Sequence, residues 1–73
     1  MVVEIYSKDN CPFCDKAEFL AKSKGLDLTV KKLGTDFDMS DMMRLFPTAR
    51  TFPQIIVDGK SIGGYTDFEP LVK

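Results

Sequence analysis

"VVEIYSKDNCPFCDKAEFLAKSKG", residues 2–25, passes from a strand to a helix across a pair of cysteines. Val2 to Tyr6 is rich in β-branched and aromatic residues and nearly continuous in apolar character, which predicts a central parallel strand covered on both faces. Pro12 suits a first helical position, and Phe13, Ala17, Leu20, Ala21 and the stem of Lys24 then recur on one stripe of an α-helix. Gly25 is the expected stop.

Beyond it, residues 26–33 alternate Leu26, Leu28 and Val30 with Asp27, Thr29 and Lys31, the pattern of a second strand with one better-buried face, which Gly34 ends. Residues 35–47, "TDFDMSDMMRLFP", place Met39, Met42, Met43 and Phe46 at i, i+3, i+4 and i+7. This predicts a short helix capped by Asp36 or Asp38 and ended by Pro47, with its methionines on the buried face. "QIIV" and "DGKSIGG", residues 54–64, form a hairpin in which Asp58-Gly59 supplies the positive φ angles of a type I′ turn. In "TDFEPLVK", residues 66–73, Thr66 and Glu69 have capping-box spacing, and Pro70 falls inside or just after the first turn of a last helix. The order β-α-β-α-β-β-α predicts one α/β domain over residues 1–73: a four-stranded mixed sheet with helices on both faces, built from a right-handed parallel crossover and an antiparallel pair.

The 73 residues are 44% hydrophobic and 29% charged, as in ordinary globular proteins, and no apolar run approaches the roughly 18–20 residues needed to cross a bilayer. The first ten residues lack the basic start and apolar core of a secretory signal, so the expected location is the cytoplasm. Ten basic against eleven acidic side chains, with no block of like charge, argue against a nucleic-acid partner. The chain has no histidine, which excludes Ser-His-Asp and Cys-His nucleophile systems and removes the commonest metal ligand.

Three readings of Cys11 and Cys14 remain. A structural bridge would close a loop of four residues and stabilise the fold by roughly 2 kcal/mol or less. A metal site would need two more ligands, and the nearby Asp9 and Asp15 match poorly with the soft thiolate sites of zinc. A working dithiol explains position as well as spacing. Cys11 falls at or just before a helix N-cap, where unpaired N–H groups and the helix dipole favour a thiolate, so it is the attacking group. Cys14, one turn inward, is the resolving group, and Pro12 holds the turn. Thiol–disulfide exchange then needs no imidazole base. Phe13 belongs either to the core, by its stripe, or to the surface as a docking contact.

Taken together, "IYSKDNCPFC" (5–14), "TFPQIIVDGK" (51–60) and "GGYTDF" (63–68) resemble a glutaredoxin of the small dithiol kind, within the thioredoxin-fold superfamily, over residues 2–72. The resemblance implies a thioredoxin-like fold and a glutathione-dependent oxidoreductase that reduces protein disulfides and protein–glutathione mixed disulfides through Cys11 and Cys14. Glutathione would be the electron-donating cosubstrate, with no tightly bound cofactor and no metal. Phe13 stands where the family most often has tyrosine. Thr51-Phe52-Pro53 matches the T-V-P segment, in which the proline is cis and the preceding backbone pairs with the cysteine of bound glutathione; without the resemblance, Pro53 reads as a strand-entry proline. Gly63-Gly64 with Tyr65, Thr66 and Asp67 matches the loop that holds the γ-glutamyl end, with Asp67 taking the ammonium. Lys8, by itself a surface lysine, matches a residue that meets the glycyl carboxylate and helps ionise the nucleophile, and Arg50 fits by its place before T-x-P. The implied partners of a monomer are glutathione and disulfide-containing proteins, ribonucleotide reductase among them. Two alternatives are a thioredoxin-like redoxin fed by a flavoprotein reductase and a carrier of a [2Fe–2S] cluster between two copies.

Overall fold

The strand on which both sides of the molecule are built is β1, Val2–Ser7. In the computed structural model, which describes residues 1–49 and 51–73, it is followed by α1 (Pro12–Ser23), β2 (Asp27–Lys32), α2 (Met39–Leu45), β3 (Gln54–Val57), β4 (Lys60–Gly63) and α3 (Tyr65–Val72). The sheet order is β2-β1-β3-β4. β1 runs parallel to β2, from Val2 opposite Asp27 to Ser7 opposite Lys32, and antiparallel to β3, with Ile5 opposite Ile55. The architecture is the mixed four-stranded sheet expected from the sequence.

Alternate residues of β1 point to different layers, because side chains of a strand alternate between faces. Val3 and Ile5 lie in an aliphatic core with Ala17 and Ala21 of α1, Ile55 and Val57 of β3 and Phe68 of α3. Tyr6 enters a second, aromatic cluster with Phe37, Met42 and Phe46, meeting each phenylalanine edge-on at 5.1 Å. Thus α1 and α3 cover one face and α2 the other. The buried line of α1 is Cys14, Ala17 and Ala21, whose small side chains let the helix lie close to the sheet; Phe13 is off that line and half exposed. Gly25, at φ 67, closes the helix: its N–H donates to Lys22 O at 3.0 Å and the Leu26 N–H to Ala21 O at 3.1 Å, the paired bonds of a Schellman cap.

Asp38 caps α2, accepting from the Asp41 amide at 2.9 Å while Asp41 accepts from the Asp38 amide at 3.0 Å. Met42 is its one buried residue, joined by the buried C-cap Phe46, whereas Met39 and Met43 are 51% and 68% exposed, contrary to the buried face expected for all three methionines. A helix of seven residues meets the cluster along one i, i+4 ridge, which leaves Met43 on its flank and Met39 in its exposed first turn. The hairpin turns at Asp58 (φ 50) and Gly59 (φ 83), as the Asp-Gly pair predicts. Asp58 also ties it to β1, accepting from the Val2 amide at 2.8 Å.

The start of α3 differs from expectation. Its N-cap is Gly64, not Thr66, because the residue three positions on that reaches back is Asp67, whose carboxylate accepts from the Gly64 amide at 3.1 Å. Glu69 instead accepts from the Tyr65 hydroxyl at 3.3 Å, and Pro70 lies inside the helix beyond its first turn.

The Asp38 amide, and after it the Arg44 guanidinium at 2.8 Å, hold Asp41 below its ordinary carboxylate value of 3.8. Folding therefore favours the ionised form, so its contribution is present above that value and disappears as pH falls through the lowered one. Asp41→Asn should be less stable than the parent in urea unfolding at about pH 6, with the difference closing towards about pH 2. A difference that stays constant across that range would show that the carboxylate's charge plays no part.

Candidate active site

β1 ends at Ser7, and the exposed loop Lys8-Asp9-Asn10 turns the chain into α1 through Asn10, at a left-handed φ of 54. Asparagine tolerates that conformation better than most residues. Cys11 follows in extended conformation, φ −125, as the N-cap of α1, and its sulfur accepts a hydrogen bond from the Cys14 amide at 3.3 Å. The two cysteines are joined in a disulfide with their Cα atoms 5.2 Å apart. They are not equivalent: Cys11 keeps 7% of its surface exposed, while Cys14 has none. Of the two residues, only Cys11 has any surface open to solvent.

A groove of about 260 Å³ with three walls takes in Phe13, the residue between Pro12 and Cys14, although neither cysteine is among its lining residues. Phe13 comes from α1, Thr51-Phe52-Pro53 from the segment before β3, and Gly64 to Asp67 from the start of α3. The structure thus brings together eight of the ten residues singled out for ligand contact. Lys8 stands next to the groove with Nζ 5.5 Å from the centre of the Phe52 ring. Arg50 lies outside the described residues.

Phe13 belongs to the surface rather than the core, its ring 5.9 Å from that of Tyr65 and beneath the Lys16 ammonium at 5.0 Å. The Phe52–Pro53 peptide is cis, and Pro53 is fully buried. One contributor was not anticipated: Gln54, buried at the start of β3, donates from Nε2 to Thr51 O at 2.9 Å and so braces the segment that forms the second wall. A polar side chain at the first position of a central strand was the signal for it, since a buried amide needs a partner.

The two glycines act differently. Gly63 sits at φ 108, and a Cβ there would run into the Asp67 carboxylate. Gly64 has an ordinary φ of −101, but a Cβ would meet Pro53 O at 3.3 Å, so the absence of a side chain lets two walls of the groove approach. Burial, and after it the Glu69 carboxylate, push the Tyr65 phenol above its ordinary value, which keeps it a neutral donor. Among the described residues no group of three or more His, Cys, Asp and Glu side chains is placed to hold a metal ion, and no helix is long and apolar enough to cross a membrane.

A family model described as glutaredoxin matches residues 3–62. The chain is 35% identical to glutaredoxin 3 of Escherichia coli K12 over 69 residues, which covers 94% of this chain and 83% of that one. It is 39% identical over 67 residues to the hybrid peroxiredoxin hyPrx5 of Haemophilus influenzae, covering 92% of this chain but spanning only 27% of that protein. The crystal structure of a buckwheat glutaredoxin–glutathione complex shares the fold with a TM-score of 0.78 at 22% identity, over 93% of this chain and 64% of that one.

Gly63→Ala should destabilise the protein by about 1–3 kcal/mol, as expected of a side chain forced into a sparsely populated backbone region. Gly64→Ala, which needs only a small shift, should cost less than about 1.5 kcal/mol. Chemical unfolding of the two variants measures the difference, and equal losses would contradict the separate roles of the glycines.

Proposed function

The chain belongs to the glutaredoxin family, and from that premise we propose that it is a glutathione-dependent thiol–disulfide oxidoreductase. The observation that carries the reading is the position of Cys11: N-cap of α1, its sulfur receiving the Cys14 amide, with Phe13 of the groove wall two residues on. A sulfur placed there carries negative charge more readily than one in water, because unpaired amides and the helix dipole face it.

In the reduced protein the Cys11 thiolate attacks a protein disulfide or a protein–glutathione mixed disulfide. A bond forms between Sγ and the attacked sulfur, the target's S–S bond breaks, and the departing thiolate takes up a proton. With a protein disulfide, Cys14 then attacks Cys11 Sγ, releases the second target thiol and leaves the Cys11–Cys14 bridge. Two glutathione molecules reduce that bridge and depart as glutathione disulfide. Where the intermediate is a glutathione adduct of Cys11, one further glutathione resolves it without Cys14.

The groove supports glutathione as the donor by its chemistry. The orphan amides of Tyr65 and Thr66 at the start of α3 suit a carboxylate, the Asp67 carboxylate suits an ammonium, and Lys8 suits a second carboxylate. Phe52 lines the groove ahead of the cis proline, where its backbone would pair with a peptide in strand fashion. The buckwheat relative is known as a complex with glutathione, which points the same way.

Cys14→Ser should retain removal of glutathione from mixed disulfides and lose most reduction of protein disulfides, whereas Cys11→Ser should fall to the uncatalysed background in both. Both are followed by coupling to glutathione reductase. Normal turnover by the Cys11 variant would overturn the assignment of the nucleophile, and turnover only with a flavoprotein thioredoxin reductase would overturn that of the donor.

A further inference from the structure

We propose that Phe52 is a positioning residue whose ring holds the Lys8 ammonium at the groove to receive a carboxylate of an anionic thiol. This rests on the reading of glutathione as donor. Phe52 lines the groove, and Lys8 Nζ stands over its ring, 5.5 Å from the centre. The neighbouring Asp9 carboxylate pairs with Lys32 at 3.6 Å instead, and among the described residues no carboxylate lies within ion-pair distance of Lys8. Its charge is held by the π face and remains free to bind an anion.

The ring is itself fixed from the core side. Buried Phe37 stacks on it at 6.4 Å with 29° between the planes, and Phe37 is held edge-on by Tyr6, which Phe46 also contacts. A lysine on an exposed loop samples many rotamers, and ordering it on binding reduces affinity. Contact with a ring anchored in the aromatic cluster restricts that sampling before the ligand arrives. A surface cation–π contact is worth about two- to fivefold in an equilibrium or rate ratio.

The test compares two thiols that differ in one charge: glutathione and its ester at the glycyl carboxylate, each used to reduce the Cys11–Cys14 bridge stoichiometrically. The ratio of their rates should fall about two- to fivefold in Phe52→Leu. It should fall at least as far in Lys8→Met and stay near the parental value in Phe52→Tyr, which keeps the ring. In the Lys8→Met background Phe52→Leu should change the ratio no further, the signature of two residues acting as one device. The proposal is overturned if the parent shows no preference for the acid over the ester. It is equally overturned if Phe52→Leu slows both thiols by one factor, or lowers the ratio as much without Lys8 as with it. Failure of catalytic turnover with glutathione and its reductase, with the rate ratio and the coupling intact, would overturn the donor reading alone and leave the ring–lysine device supported.

Discussion

A sulfur occupies the N-cap of α1, the place that a hydroxyl or carboxylate oxygen takes in most helices, and it accepts the Cys14 amide at 3.3 Å. Pro12, at the first helical position, lacks an N–H that would have no helical partner there, and the amide of the third helical residue is the one that reaches this acceptor. Cys14 is at once the donor to Cys11 and its partner in the bridge. Its own side chain is fully buried in line with Ala17 and Ala21, so the reactive end of the helix cannot shift without disturbing the core. The chemistry of the pair thus depends on how well α1 is seated against β1.

That seating draws on a small core. A chain of this length buries only about 60% of the surface it exposes when unfolded, so each large buried side chain carries an appreciable share of the stability. Phe68, fully buried, joins α3 to the aliphatic core at about 1.5–3 kcal/mol for a side chain of that class. On the other face the aromatic cluster takes over, with Tyr6 between two phenylalanines. The groove lies where these two layers and the sheet end together. One wall belongs to a helix of the aliphatic side, another to the segment before β3 that Phe37 supports through Phe52, and the third to the helix that follows β4.

Most of this was legible because short-range rules and tertiary packing agreed. The apolar run of β1, the Asp-Gly hairpin and the Gly25 stop gave the element order, and the motif pattern gathered most of the groove residues from distant parts of the chain. What was not legible depended on competition between neighbours. Thr66-x-x-Glu69 and Gly64-x-x-Asp67 are equally good capping frames by spacing; the second prevails because Gly63, with its positive φ, makes room for the Asp67 carboxylate. Periodicity placed Met39 and Met43 inside without knowing how little surface the aromatic cluster offers a two-turn helix. Phe13 was ambiguous because its stripe is shared by a groove wall and a core, and only the nearby Tyr65 ring decides between them. The bracing by Gln54 needed three-dimensional knowledge of where Thr51 O lies.

The unoccupied acceptors of the third wall bear on how a ligand can enter without unravelling it. Asp67 uses one oxygen to hold the Gly64 amide, and that bond fixes the start of α3. An ionised carboxylate offers about four acceptor sites, so the ammonium of the proposed glutathione ligand could be received while the cap stays made. Tyr65 is engaged in the same way: its hydroxyl donates to Glu69, which leaves the ring free to face Phe13. Because these bonds exist before binding, the groove is formed in advance, and the ordering cost that a flexible loop would bring is largely absent. On the proposed glutathione reading, removing the Asp67 carboxylate would therefore act twice, once on the ligand's ammonium and once on the helix start. A loss of affinity on its substitution therefore needs a parallel measurement of stability before it can be assigned to contact with the ligand.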